Sequence, residues 1–273
     1  MKLRILAVGL AATLAFALGG CAPAATPDNA GDAPSTQSGL TLAQVKDAGE
    51  LVVGTEGTYK PFSYHEDGTG DLTGYDVDIV TAVAKKLGVD VKFQETQWDA
   101  IFAGLEAGRF DVIANQVSVN PERQAKYDFS DAYTVSPGVI VVKATDDSIH
   151  SFKDLAGKRT AQSLTSNWFT LAEKNGAEVE GVEGWAQAVE LLQQGRVDAT
   201  INDNLTFLDY VKSSGEKGLK VAATTDDPSL SALAFVKGST DLVEAVNQAL
   251  DELRKDGTLA TISEKYFGVD VSQ

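Results

Sequence analysis

Sulfur is nearly missing from this chain. Among 273 residues there is one cysteine, one methionine and two histidines. A single cysteine excludes an intramolecular disulfide framework. His65 and His150 stand far apart in sequence with no thiol cluster near either, which argues against a zinc-type metal site, and no cofactor is expected. Positive charge is also scarce. Lys and Arg total 23 against 39 Asp and Glu, for a formal net charge of −16. A polyanion such as nucleic acid would be repelled by such a chain. No apolar run is long enough to cross a bilayer comfortably, since the longest, Ile5 to Leu18, falls short of about 20 residues.

The sulfur that is present is confined to the N-terminus, at Met1 and Cys21. Lys2 and Arg4 precede the apolar run, as in a secretory leader. Leu18-Gly19-Gly20-Cys21 follows and resembles a bacterial lipobox, which implies cleavage before Cys21 and acylation of its thiol. Residues 1–20 are therefore expected to be a signal peptide. Residues 21–40, rich in Ala, Pro, Thr, Ser and Gly, are expected to be a flexible tether. Together they place the remainder outside the cytoplasm, lipid-anchored to the cell membrane.

With 43% hydrophobic residues, the rest of the chain has enough apolar area for one or two ordinary cores. Its pattern is strand, loop and helix in alternation. Leu51 to Gly54 reads as a strand. Tyr75 to Leu87 reads as a helix with Ile79, Val80, Val83, Ala84 and Leu87 on one stripe. Asp76 and Asp78 complement its dipole and Gly88 ends it. Val89 to Phe93, Trp98 to Ala107 and Phe110 to Ala114 continue as strand, helix and strand. Such alternation argues for an α/β fold with mostly parallel sheets.

An internal repeat divides the fold in two. Trp98, Gly108-Arg109-Phe110-Asp111 and Asn115-Gln116 match Trp185, Gly195-Arg196-Val197-Asp198 and Asn202-Asp203, at a constant separation of 87 residues. Two lobes of like construction follow. Asn115-Gln116 and Asn202-Asp203 would then lie beyond the carboxyl ends of strands, where open α/β sheets bind ligands. The apolar runs Val139 to Val142 and Ser231 to Val236 suit two hinge crossings. Lobe 1 is accordingly expected over 41–136 and 230–273, and lobe 2 over 137–229. The helix from Leu242 to Leu253 would return to lobe 1.

Gly74-Tyr75-Asp76-Val77-Asp78-Ile79-Val80 resembles the signature of the family 3 extracellular solute-binding proteins, receptors of amino-acid ABC importers. The likeness runs from about Leu51 to Gly268. It includes Gly54-Thr55-Glu56-Gly57-Thr58-Tyr59-Lys60-Pro61-Phe62, Tyr127-Asp128-Phe129-Ser130 and Ser263-Glu264-Lys265-Tyr266-Phe267-Gly268. Within the family, Thr96-Gln97-Trp98-Asp99, Ala114-Asn115-Gln116-Val117 and Gln162-Ser163-Leu164-Thr165-Ser166-Asn167 look most like the L-cystine receptors. The resemblance implies a two-lobed periplasmic-binding-protein fold of type II. It also implies hinge closure on an amino acid, delivery to permease subunits, and a monomer that catalyses no reaction.

A free amino acid brings a carboxylate and an ammonium, and a dry cleft must match both. By resemblance Arg123 takes the carboxylate and Asp203 the ammonium, one from each lobe. A guanidinium fork suits a carboxylate through paired hydrogen bonds. Ser118, Leu164 and Thr165 would add contacts, and Asn115, Gln116 and Val117 would line the rim. Tyr59, Phe62 and Trp98 are candidate aromatic walls for sulfur and alkyl atoms. Trp185 reads as core. Glu56 is expected to meet the distal ammonium of cystine. The lack of a thiol in the mature fold suits a disulfide ligand, which a free thiol would exchange with. Alternatives stay open: a receptor for glutamine, arginine or another polar amino acid, or an enzyme in which Asp203 and Glu56 act as an acid–base pair.

Overall fold

Val139 and Val141 point to one side of their strand, and Ile140 and Val142 to the other; all four are buried. Val112 and Ala114 against Ile113 and Val117 do the same. Side chains alternate along a strand, so an unbroken apolar run marks a sheet covered on both faces. The computed structural model, which describes residues 39–273, contains two such sheets. The leader and Cys21 lie outside the described residues, as does the tether up to residue 38.

The first sheet runs in the spatial order Asp90–Glu95, Glu50–Thr55, Val112–Ser118, Ser229–Val236 and Tyr127–Phe129, with Thr134–Ser136 also on Ser229–Val236. The second runs Glu178–Gly181, Arg159–Gln162, Ala199–Asp203, Gly138–Lys143 and Leu219–Thr224. A small ribbon is formed by Thr58–Tyr59, Ser63–His65 and Leu72–Thr73. The sheets are mixed, where helix–strand alternation had led to an expectation of mostly parallel pairing. Parallel ladders join the first three strands of each sheet. Gly138–Lys143 and Ser229–Val236, the strands that enter each sheet from the other, pair antiparallel with their neighbours. The chain changes sheets at Pro137 and again across residues 225–228.

Helix Tyr75–Leu87 buries Ile79, Val80, Val83 and Ala84 of the expected stripe, leaves Leu87 half-buried at its end, and stops at Gly88 with φ 77°. Leu242, Val246, Ala249 and Leu250 of helix Thr240–Lys255 join the same core, so the C-terminal region packs on the first sheet. Asp78 stays near the surface and pairs with Lys265 at 2.6 Å. Asp76 turns inward and is 1% exposed, so its role goes beyond complementing the helix dipole.

The repeat has a structural basis. Trp98 and Trp185 each open a helix, Trp98–Glu106 and Trp185–Gln194. Asp111 Oδ2 accepts from the backbone N–H of Val52, and Asp198 Oδ2 from that of Arg159, both at 2.8 Å. Each aspartate thus fastens the turn after its helix to the adjacent parallel strand. That clamp delays the expected Phe110 strand, which begins at Val112. Leu40, assigned to the tether, is already part of the fold: its N–H donates to Ser239 Oγ at 3.0 Å.

Candidate ligand-binding cleft

Asn115 organises the first-lobe wall of the cleft. Its Oδ1 accepts from Thr55 Oγ1, the Glu56 N–H and Ser63 Oγ at 3.0, 2.9 and 3.2 Å. Its Nδ2 donates to Glu56 Oε2 at 2.6 Å. Glu56 is thereby held at the end of its strand, facing a cavity of about 360 Å³ between the two sheets. The first lobe also presents Tyr59, Gln97, Trp98 and Gln116 to this cavity. Gln162, Ser163, Trp168, Glu183, Trp185 and Asn202 form the facing wall. Among the described residues, no Lys or Arg lines it. Burial pushes the Glu56 carboxyl up to about 7; the Asn115 bond opposes this, while Asp99 and Glu183 add to it.

Four buried polar atoms on this lining have no hydrogen-bond partner: Trp98 Nε1, Gln116 Oε1, Gln162 Nε2 and Trp185 Nε1. Buried polar groups in folded proteins are nearly always paired, so these atoms are available to a ligand or to water that enters the cavity.

Gln116 adopts φ +49°, unusual for a residue with a side chain. Asp76 holds it there, with Oδ2 accepting from its backbone N–H at 2.8 Å and Oδ1 from Nε2 at 2.6 Å. Burial raises the Asp76 carboxyl to about 7. Asp76→Ala would leave the Gln116 backbone N–H unpaired in the interior and Nε2 with Thr134 Oγ1, at 3.1 Å, as its one remaining partner among the described residues. It is expected to cost about 2–4 kcal/mol in urea unfolding, with Asp76→Asn retaining part of the loss.

Three sets of contacts bridge the lobes beside the cavity. Tyr59 Oη donates to Asn202 Oδ1 at 2.8 Å and lies 3.1 Å from Thr206 Oγ1. Asp99 Oδ1 accepts from Thr165 N–H and Oγ1 at 3.0 and 2.7 Å. Arg123 donates through Nη1 to Ser118 O at 3.0 Å and through Nη2 to Thr165 O at 3.3 Å. Its guanidinium lies 5.3 Å from the Trp98 ring centroid and 5.2 Å from that of Phe102. It has no carboxylate partner among the described residues, and burial lowers its pKa to about 10.

The structure sorts the sequence-derived candidates. Glu56, Tyr59, Trp98, Asn115 and Gln116 line the cavity. Phe62 does not: it is fully buried behind Tyr59, against Tyr75 and Phe267. The Val117 side chain points into the core with Ile113 and Ala234. Ser118 and Arg123 are off the lining: the Arg123 guanidinium lies over the Trp98 ring, and Ser118 Oγ pairs with Ser229 Oγ at 2.9 Å. Thr165 sits in the bridge to Asp99, and Leu164 is half-exposed against Gly181. Asp203 lies behind Asn202 and starts helix Asn204–Ser214; its Oδ1 accepts from Ser136 Oγ and Leu205 N–H at 2.6 and 2.8 Å. Burial raises its carboxyl to about 6. Gln162, Glu183 and Asp99 are not among the expected ligand contacts; Asn202, expected at a ligand-facing strand end, lines the cavity, and Trp185, read as core, reaches it too. Trp185 and Asn202 are the repeat partners of Trp98 and Asn115, and that register is the signal that identifies them.

Two doubly covered α/β lobes, joined by two crossings around a ligand-sized cleft, define a type II binding protein. The chain belongs to the bacterial extracellular solute-binding proteins, family 3, whose model matches residues 51–269. It is 51% identical over 276 residues to the L-cystine-binding protein TcyA of Bacillus subtilis (strain 168), covering 100% of both chains. Among solved structures it is similar to the L-cystine solute receptor of Neisseria gonorrhoeae in the unliganded open conformation, with 47% identity, a TM-score of 0.58, and 85% of this chain and 98% of that chain covered. It is also similar to an ancestral arginine-binding protein bound to arginine, with 39% identity, a TM-score of 0.75, and 81% and 99% covered. The less identical structure superposes better. The lobe arrangement here is thus nearer to that of the arginine-bound protein than to that of the open receptor.

Proposed function

We propose that this chain is the extracytoplasmic receptor of an amino-acid ABC importer, that it closes on L-cystine, and that it passes the ligand to permease subunits as a monomer. The leader would be removed and Cys21 acylated, leaving the two lobes tethered to the membrane. Binding, not turnover, is the chemistry its family membership assigns to the cleft.

One observation carries the choice of ligand. Among the described residues, the cavity holds Glu56 and Glu183 with no cation, while the buried cation Arg123 lies over the Trp98 ring without a carboxylate. A ligand with a carboxylate at one end and an ammonium beyond an apolar middle complements both. Arg123 and Asp203 would take one amino-acid head. Tyr59 and Trp98 would face the sulfur atoms, and Glu56 the far ammonium. As the head enters, Thr165 would exchange its bridging bonds, and Ser118 its bond to Arg123 within the first lobe, for ligand contacts. L-cystine meets this description, and two relatives carry that ligand in their names. Arginine is the second reading, because the same acids suit a guanidinium.

Thermal unfolding against a panel of amino acids separates the two. A ligand that binds the folded state stabilises it by about 2.7 kcal/mol at a hundredfold excess over its Kd. L-cystine is expected to raise the Tm, and a reductant to abolish the rise. A shift with arginine and none with cystine would transfer the site to a cationic amino acid.

A further inference from the structure

Helix Trp185–Gln194 begins without a side-chain cap and without an acid in its first turn. Its N-cap is Gly184, and Gly184, Trp185, Ala186 and Gln187 all face the cavity. An uncapped helix start offers free N–H groups and the positive end of the helix dipole. Two further donors converge there. Trp185 Nε1 is buried and unpaired. Gln162 is 3% exposed; its Oε1 accepts from Thr160 Oγ1 at 3.0 Å, and its Nε2 is left unpaired. The loop is fixed against Gln162, whose carbonyl accepts from the Val182 N–H at 3.2 Å, and Ser163 Oγ donates to the Glu183 carbonyl at 3.2 Å. Two acids complete the group. Glu183 stands in the same loop, and Glu56 reaches across the cleft, so that a Cβ added to Gly184 would lie 3.9 Å from its Oε1.

Unpaired N–H donors beside two acids that meet no cation among the described residues form the complement of a zwitterion. We infer that the start of helix Trp185–Gln194, with Trp185 and Gln162, is a second head-group site, which holds the distal carboxylate of the ligand while Glu56 and Glu183 hold its distal ammonium. Resting on the receptor reading above, this makes Trp185 and Glu183 specificity residues that act on one half of the ligand. Trp98 serves the junction between the halves, and Arg123 and Asp203 the other head.

The test compares L-cystine with S-(ethylthio)-L-cysteine, which keeps the disulfide and one head but lacks the second. Both are titrated calorimetrically into the purified full-length protein and into its Trp185→Phe and Glu183→Gln variants. Each variant is first checked for a wild-type Tm. The wild type is expected to prefer cystine by about tenfold or more, the worth of one or two charged hydrogen bonds. Each variant is expected to lose most of that preference by weakening cystine alone, with the half-ligand unchanged within about twofold. If both ligands weaken together, or the preference survives in both variants, the second head-group site is wrong and the receptor reading stands. If the wild type binds no cystine, the cystine assignment itself fails and this site falls with it.

Discussion

Arg123→Ala is expected to lower the affinity for L-cystine about 100-fold or more while leaving the fold intact. Arg123 is 8% exposed, and its guanidinium rests between two carbonyls and the faces of Trp98 and Phe102. An uncompensated buried cation costs several kcal/mol, which a ligand carboxylate offsets on binding. Truncating one partner of such a desolvated pair typically loses about 2–5 kcal/mol of binding. Arg123→Met distinguishes this from a structural role, because it keeps most of the packing on the rings and removes the charge. It should melt at or above the wild-type temperature and bind as poorly as Arg123→Ala. A large loss of stability with normal affinity would make Arg123 a structural residue.

Affinity and stability are expected to move in opposite directions with pH. Glu56 must be ionised to hold an ammonium. With its carboxyl raised to about 7, the ionised fraction, and with it the affinity, falls about tenfold between pH 8 and pH 6. Glu56→Gln should bind weakly at pH 8 and lose that dependence. Stability has the reverse sign. Glu56, Asp76 and Asp203 lie at about 7, 7 and 6 when folded, above their ordinary values of 4.5, 3.8 and 3.8. The folded state therefore binds protons more tightly than the unfolded one. The resulting stability is complete below the ordinary values and is lost as pH rises through 6 to 7. Surface acids held low, such as Asp146, Asp154 and Asp256, act only below that window. Urea unfolding should give a higher midpoint at about pH 5 than at about pH 8, and calorimetric binding the opposite.

Local pattern carried the fold because it needs only neighbours. The stripe of helix Tyr75–Leu87, its Gly88 stop and the 87-residue repeat are all short-range signals that burial later enforces. Strand direction was less legible. Whether Gly138–Lys143 runs with or against Ala199–Asp203 depends on where the chain crosses between lobes, not on its own residues. The cleft was half legible. Glu56, Tyr59, Trp98, Asn115 and Gln116 stand at strand ends or in adjacent loops, where motifs single them out. Phe62 stands three residues after Tyr59, yet the turn sends its ring into the core. Asp76 reads as a helix-start acid until the fold brings Gln116, 40 residues on, against it. Trp185 has the spacing of a core residue and reaches the cavity only because the second lobe faces the first.

Titrating L-cystine into the purified protein by calorimetry, before and after a thiol reductant, tests the receptor assignment most directly. A receptor built around this cleft gives saturable one-to-one binding with cystine, and reduction to cysteine removes it. Equal heats before and after reduction, or saturable binding of arginine in a protein indifferent to cystine, would contradict it.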